Sequence, residues 1–246
     1  MLNILVACKE PKAPGGLEFA RADEQHVLYD TNVSWGVASN NLLDQAAALG
    51  GDALYLDDDV TLTVGCLDHV FAHYDHADIF GLDLHDMTGT RQAGARHVMD
   101  RDGMIHDWVQ PGPAYVAHCS TSAIYLKASV VAAIRFPIWS GLHFEDVAFC
   151  LDAWLHGFKV LAVPGYVHHN IVGGVGATKR HAPDFWNRWA ANRQAFGAWC
   201  GDNGVMAALR DGRVPVGAKS ILDYMTDEAL AEHLAGRTEP LDPDTL

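Results

Sequence analysis

The sequence predicts an α/β protein whose central sheet is mostly parallel and flanked by helices. Three observations support this prediction. Short apolar segments of the buried-strand type recur along the chain, helical segments lie between them, and several of those helices end at glycine, as at Gly50 and Gly157. Strands that alternate with helices in this rhythm are typical of a parallel α/β sheet.

The first half of the chain contains four predicted strands, which are short and apolar: residues 2–7, 26–29, 53–56 and 79–84. Apolar residues at helical spacing predict a helix over residues 37–49, which ends at Gly50-Gly51. A shorter helix is predicted over residues 67–74. The order of these elements is strand, strand, helix, strand, helix, strand.

The second half opens with a polar, glycine-rich stretch, residues 86–113, which predicts edge hairpins and loops over a site. Strands are predicted at residues 114–116 and 122–126, followed by a helix at 145–156. A strand at 158–163 is expected to stop at Pro164, and residues 167–170 form a further extended segment. An aromatic helix covers residues 184–200.

Composition indicates one globular domain. The 246 residues are 49% hydrophobic and 20% charged, which excludes disorder as the main state of the chain. No repeat and no long linker divides it. We expect a single domain over residues 1–225 and an acidic, loosely held C-terminal tail over residues 226–246.

The net charge and the cysteine pattern argue against some classes of function. With 17 basic and 31 acidic residues, the net charge is −14, which argues against gripping a polyphosphate through bulk charge. The five cysteines form no CxxC pair, so free thiols in a reducing cytoplasm are expected and zinc bound by cysteines is not. No apolar run reaches the roughly 18 residues of a membrane span, and we expect a cytoplasmic protein.

Three consecutive aspartates, Asp57, Asp58 and Asp59, follow the buried strand at residues 53–56. Like charges side by side add nothing to the stability of a sheet, and ligands of open α/β sheets sit at the carboxyl ends of the strands. Alternation places Asp57 and Asp59 on one side, where they suit Mg²⁺ or Mn²⁺ that also takes phosphate oxygens. The alternative is a solvated acidic turn.

Two further pairs of residues are candidates for catalysis or metal binding. Glu145 and Asp146 lie in the first turn of a predicted helix, where the helix dipole favours charged carboxylates. They suit either simple helix capping or a general base that takes a proton from an attacking hydroxyl. His168 and His169 end an extended segment before a glycine-rich loop, and they are either metal ligands or structural residues.

Taken in chain order, these motifs resemble the GT-A glycosyltransferases, most closely those of family 2. Residues 32–41 resemble the segment "N-x-G-x-A-x-A-x-N", and residues 54–60 resemble the strand with its DxD. Residues 144–151 and 157–160 resemble "E-D-V-D-L-C-x-R … G-Y-x-V", and residues 163–169 resemble "V-P … H-H-x-G". The resemblance runs from about residue 32 to residue 176.

The resemblance implies a GT-A fold and a metal-dependent, inverting transfer of a sugar from a nucleotide-sugar donor to an acceptor hydroxyl. A UDP-sugar is the favoured donor, and Mn²⁺ or Mg²⁺ is the implied cofactor. Asp57 and Asp59 match the metal and diphosphate positions, Asp58 matches the middle position near the ribose, and Asn41 belongs to the donor-binding segment.

The remaining site residues follow from the same resemblance. Asp146 matches the catalytic base, and Glu145 beside it contacts donor or acceptor. His169 is the better match to a third metal ligand, and His168 is the reserve candidate. The acceptor stays open among a small molecule, a glycan, a protein and a modified nucleobase, and the oligomeric state is also open.

The sequence departs from the family pattern in several places. The nucleotide-binding half is shorter than usual, residues 7–11 replace the early "P-x-Y-N" loop, and the uracil-reading "D-x-G-S" turn has no clear counterpart. Asp30 lies too close to the segment from Asn32 to be assigned to that turn. Ala148 and Ala153 stand where the family has aspartate and arginine, so the helix at residues 145–156 is a divergent version.

Two other functions remain as alternatives. One is a GT-A-like protein that binds a nucleotide sugar without turnover. The other is a nucleotidyl or phosphoryl transferase that uses the same DxD metal site. The second would call for a phosphate-binding P-loop, and the sequence has no GxxxxGK[ST] motif.

Overall fold

The structure is a computed structural model that describes residues 1–8, 14–20, 25–30, 35–91, 96–107, 112–139, 144–169 and 185–220. Several sequence predictions lie partly or wholly outside these residues. They are the start of the segment 32–41, parts of the stretches 7–11 and 86–113, the ends at residues 170 and 184, the glycine-rich loop after His169, and the C-terminal tail. The boundary of the tail at residue 226 therefore stays a prediction.

Eleven strands are described: β1 (Leu2–Ala7), β2 (Gln25–Asp30), β3 (Asp52–Asp57), β4 (Val60–Leu62), β5 (Ile79–His85), β6 (Arg96–Met99), β7 (Ile105–Asp107), β8 (Ala114–Tyr115), β9 (His118–Cys119), β10 (Ala123–Leu126) and β11 (Val160–His169). The α-helices of the described residues are α1 (Trp35–Leu49), α2 (Asp68–Ala72), α3 (Ala128–Ala133), α4 (Glu145–Leu155), α5 (Phe185–Asp202) and α6 (Val205–Arg210). Leu17–Ala20 and Tyr74–His76 form short 3-10 helices.

The main sheet has the strand order β2-β1-β3-β10-β5-β11-β4, and β8 pairs with the start of β11. Strands β1, β2, β3, β5 and β11 run in one direction, while β4, β8 and β10 run against them. A small second sheet has the order β7-β6-β9. The prediction of a mostly parallel sheet flanked by helices is therefore confirmed, and the architecture is consistent with a Rossmann-like GT-A fold.

Burial explains why the central strands are so apolar. The side chains of Ile4, Leu5, Leu54 and Leu56 are fully buried, because helices or loops cover both faces of the sheet. Helix α1 packs on β1 and β2. Among the described residues, no helix is both long and apolar enough to cross a membrane.

The prediction that Pro164 stops a strand was wrong. Strand β11 continues through Pro164 to His169, so the two predicted extended segments are one strand. Its register against β5 shifts between Ala162 and Tyr166. Proline cannot donate to a ladder and is tolerated at such irregularities. The continuous strand carries both histidines to the carboxyl edge of the sheet.

Strand β10 is positioned by a close approach of β9 to the sheet. An added Cβ at Gly81, in the middle of β5, would clash with the side chain of Cys119, which is itself fully buried. Glycine at this position therefore gives Cys119 its place against the sheet. The chain leaves Cys119 and enters β10 at Ala123, four residues later.

We predict that Gly81→Ala destabilises the protein by about 1–3 kcal/mol, the usual cost of overpacking a filled core. Chemical denaturation measures the change. Gly197→Ala is the matched control, because Gly197 lies within α5 and an added Cβ there meets nothing within 4 Å. Alanine favours helix over glycine by about 0.5–1 kcal/mol, so the control is expected to gain stability. Equal effects of the two substitutions would contradict the assigned role of Gly81.

Candidate metal centre

The acidic triplet lies where the sheet changes strand direction. Asp57 ends β3, Asp58 and Asp59 form a turn, and Val60 begins β4. Strand β4 pairs antiparallel with the end of β11, with His169 opposite Val60. Because Asp59 directly precedes Val60, this register brings Asp59 beside His169.

Three side chains converge here. Asp57, Asp59 and His169 each offer one ligand atom, and these atoms all lie within 4.8 Å of one another. His169 Nε2 lies 3.0 Å from Asp59 Oδ1. His169 is 6% exposed, whereas the Asp59 side chain is 44% exposed. The group therefore combines one buried imidazole with carboxylates that solvent can reach, which is an arrangement able to hold a divalent ion from one open side.

The carboxylate of Asp57 is held by its neighbour strand. Ser122 Oγ donates a hydrogen bond of 2.6 Å to Asp57 Oδ2, and the Asp57 backbone N–H donates to the Ser122 carbonyl over 3.0 Å. A hydrogen bond to a carboxylate oxygen fixes the direction in which a metal-ligating side chain points. The pKa of Tyr55 lies well above its usual value, first because the side chain is buried and then because of the charge on Asp57.

His168 belongs to a different environment. Successive side chains of a strand point to opposite faces, so His168 faces away from its neighbour His169. Its Nδ1 lies 3.2 Å from the carbonyl oxygen of Asp86, and its ring lies against that of Tyr166. The structure brings His169, and not His168, to the two carboxylates.

Asn41 and Asp58 are both exposed, at two places on the carboxyl edge. Asp58 occupies the turn between β3 and β4. Asn41, on α1, donates a hydrogen bond of 2.8 Å from Nδ2 to Asp30 Oδ2. Asp30 ends β2, and Ala7 of β1 is in register with both Asp30 and Asp57. Two strand spacings therefore separate the Asp30 and Asp57 backbones, which is about 10 Å.

Glu145 and Asp146 form the first turn of α4, after Phe144 in the left-handed conformation (φ 68°). Glu145 is 4% exposed, and Asp146 is half-buried. Asp146 Oδ1 accepts a hydrogen bond of 2.8 Å from the Val147 N–H. The helix start thus carries a buried carboxyl and a partly accessible one side by side.

Helix α4 packs on β9, which leads directly to the Ser122 that supports Asp57. Cys150, one turn after Asp146, directs its Sγ at the Cys119 carbonyl oxygen over 3.8 Å. The pKa of Cys150 is raised well above its usual value, mainly by burial, then by Cys119, with a smaller contribution from the charge on Asp146. The segment from Cys119 to Ser122 therefore lies between α4 and the group of Asp57, Asp59 and His169.

The sequence analysis predicts neither the contact of Ser122 with Asp57 nor the pairing of Asp30 with Asn41. Ser122 lies 65 residues from Asp57, and only the register of β10 against β3 brings them together. The position of Asp30 at the carboxyl edge could have been predicted, because Asp30 directly follows a predicted strand, as Asp57 does.

Comparisons with known proteins support the fold only. No family model matches the sequence, and no curated protein matches it. Among solved structures, A197 from STIV matches with a TM-score of 0.51 and 17% identity, over 70% of this chain and 86% of that one. GalNAc-T7, solved with UDP, GalNAc and Mn²⁺, matches with a TM-score of 0.44 and 16% identity, over 87% of this chain and 46% of that one.

The likeness to A197 shows a shared fold and no more at this identity. The match to GalNAc-T7 is weaker still, and the aligned part spans under half the length of that protein. Neither likeness indicates the function of this chain.

We predict that His169→Ala weakens Mn²⁺ binding at least tenfold, whereas His168→Ala leaves it within about twofold. Losing one of three protein ligands costs at least as much as losing a supporting contact, which is typically about 10–100-fold. Isothermal titration of the full chain with MnCl₂ measures both variants. A larger loss in His168→Ala than in His169→Ala would contradict the geometry described for β11.

Proposed function

We propose that this chain is a divalent-metal-dependent glycosyltransferase. It moves a sugar from a nucleotide-sugar donor, with a UDP-sugar favoured, to an acceptor hydroxyl, and it inverts the configuration of the sugar. The observation that carries the proposal is the convergence of Asp57, Asp59 and His169 at the carboxyl edge of the sheet. Ligands of open α/β sheets bind at this edge. The order of the motifs along the sequence agrees with it.

The three candidate metal ligands fit the proposed ion. Two carboxylates and one imidazole form a mainly oxygen site, which suits Mn²⁺ or Mg²⁺, and the imidazole favours Mn²⁺. When bound, such an ion would neutralise the diphosphate of the donor and the charge that develops on the leaving nucleotide. Asp57, Asp59 and His169 are the residues that we assign to hold it.

The nucleotide is placed by residues along the same edge. Asp58, exposed in the turn, is assigned to the ribose side of the donor. Asp30 and Asn41, hydrogen-bonded to each other and about two strands away from Asp57, offer a carboxylate and an amide to the base or ribose. This pair supplies polar recognition that the missing "D-x-G-S" turn does not.

Asp146 is assigned as the general base. It lies in the first turn of α4, where the helix dipole favours the ionised carboxylate, and it is only partly buried. In the proposed reaction it takes the proton from the acceptor hydroxyl as that oxygen attacks the anomeric carbon opposite the leaving phosphate. A single displacement of this kind inverts the configuration. Glu145, beside it and buried, is assigned to contact donor or acceptor at the helix start.

Donor binding tests the metal assignment. Titration of UDP-glucose and GDP-mannose into the full chain should give binding with Mn²⁺ and none in EDTA. We expect Asp59→Ala to weaken donor binding at least tenfold with Mn²⁺, because a ligand to the ion is lost. Asp75→Ala is the control, since Asp75 is also an exposed aspartate but lies in the 3-10 helix Tyr74–His76. Equal donor affinity with and without EDTA in the wild type would contradict the metal assignment.

Turnover tests the base. We predict that Asp146→Asn lowers sugar transfer, or donor hydrolysis with water as the acceptor, by about 10²–10⁴-fold, while donor affinity stays unchanged. Asparagine keeps the shape of the side chain but cannot accept the proton. Asp152→Asn, on the same helix and also partly buried, is the matched control and should keep the wild-type rate.

Two results would replace this proposal. A wild-type rate in Asp146→Asn would place the base elsewhere or mean a different displacement. Metal-dependent donor binding by the wild type with neither hydrolysis nor transfer would favour a nucleotide-sugar-binding protein.

A further inference from the structure

A second concave site lies apart from the metal centre. It is a cavity of about 480 Å³ whose apolar wall includes Leu209, Val214 and Val216. Three basic residues, Arg101, Arg210 and Lys219, also line it, and among the described residues no acidic one does. This composition is notable in a chain that carries 31 acidic and 17 basic residues.

The three cations come from three separate parts of the fold. Arg101 lies in the turn after β6, Arg210 ends α6, and Lys219 lies near the end of the described chain. Within the part of the chain that the structure describes, none of the three forms an ion pair. These three positive charges therefore have no carboxylate partner among the described residues, and an anion in the cavity would be attracted to them.

The side chain of Asp100 holds the Arg101 turn in place through hydrogen bonds from backbone N–H groups. Asp100 Oδ1 accepts hydrogen bonds of 2.9 Å from the N–H groups of Asp102 and Met104. The turn also packs on α6, because an added Cβ at Gly103 would lie 2.9 Å from the sulfur of Met206. Arg101 is thereby fixed relative to the helix that carries Arg210.

Backbone hydrogen bonds hold the segment that carries Val216 and Lys219. Gly217 donates a backbone hydrogen bond of 2.8 Å to the Met99 carbonyl, and Lys219 exchanges two backbone hydrogen bonds with Tyr115, of 2.8 and 2.9 Å. The walls of the cavity are therefore formed before any ligand arrives. Preformed walls lower the cost of ordering a site on binding.

The cavity is remote from the proposed donor site. Lys219 is bridged to Tyr115, which pairs with Leu161 near the start of β11. His169 ends the same strand, eight residues later, which corresponds to about 26 Å of extended chain. A ligand in this cavity would not share the residues assigned to the metal.

We propose that this cavity binds a compact phosphorylated small molecule. Three cationic residues around one cavity match the charge of about −1.5 to −2 on a phosphate monoester better than the single charge of a carboxylate, and arginine pairs with phosphate through two parallel hydrogen bonds. The apolar wall receives an uncharged part of the ligand. A long polyanion is disfavoured, because the net charge of −14 repels it outside the cavity.

Titration of the full chain with inorganic tripolyphosphate in EDTA tests the proposal. EDTA removes the metal on which the Asp57–Asp59–His169 site depends, so failure here is distinct from failure of the proposed donor site. We expect one binding site per chain, with affinity that falls as KCl rises. Arg210→Gln and Lys219→Gln should each weaken binding about tenfold, the lower end for a lost hydrogen bond to a charged group.

Arg213→Gln is the matched control, because Arg213 is an exposed arginine three residues after Arg210 that does not line the cavity. It should leave the affinity unchanged. Absence of tripolyphosphate binding, or equal weakening by Arg213→Gln, would overturn the proposal. Citrate binding as tight as tripolyphosphate binding would overturn the choice of phosphate. Tighter binding of a single-stranded oligonucleotide, lost in the same variants, would overturn the choice of a compact ligand.

Discussion

Strand β10 enters the central sheet at the edge where β3 and β5 leave it, so Ser122 meets Asp57 with both its carbonyl and its hydroxyl. Because β10 runs antiparallel to β3, the residue before its start lies at this edge; before a parallel strand, the same residue would lie at the opposite edge, away from the aspartate. The segment that precedes β10 lies against α4 as well. The start of one reversed strand thus supports a proposed metal ligand, and the short strand β9 just before it lies beside the helix that carries the proposed base.

Much of the main sheet could be predicted, because its strands are buried on both faces and their sequences are continuous apolar runs. The three-residue strand β4 could not, since so short a segment carries no periodicity. Pro164 misled the prediction for a physical reason. A missing N–H breaks a regular ladder, but the shifted register of β11 at that point makes no use of it.

For the candidate site, the sequence indicates well which residues could bind a ligand or catalyse a reaction. It indicates less well which of those residues lie close together. Three aspartates after a buried strand have no structural purpose, so Asp57 and Asp59 stand out. The choice between His168 and His169 depends on strand register, and a slip of one residue reverses it. The contact of Asn41 with Asp30 depends on how α1 packs beside β2, which no local pattern encodes.

The pairing of β4 with β11 also means that the site connects parts of the chain that are distant in sequence. Asp59 and His169 are 110 residues apart in sequence, and only three registered residue pairs join their strands. An ion shared by these side chains would act as a cross-link that closes this long loop. At an ion concentration one hundred times its dissociation constant, such binding adds about 2.7 kcal/mol to the free energy of unfolding. The supply of the ion would then shift the equilibrium between folded and unfolded chain, independently of any reaction at the site.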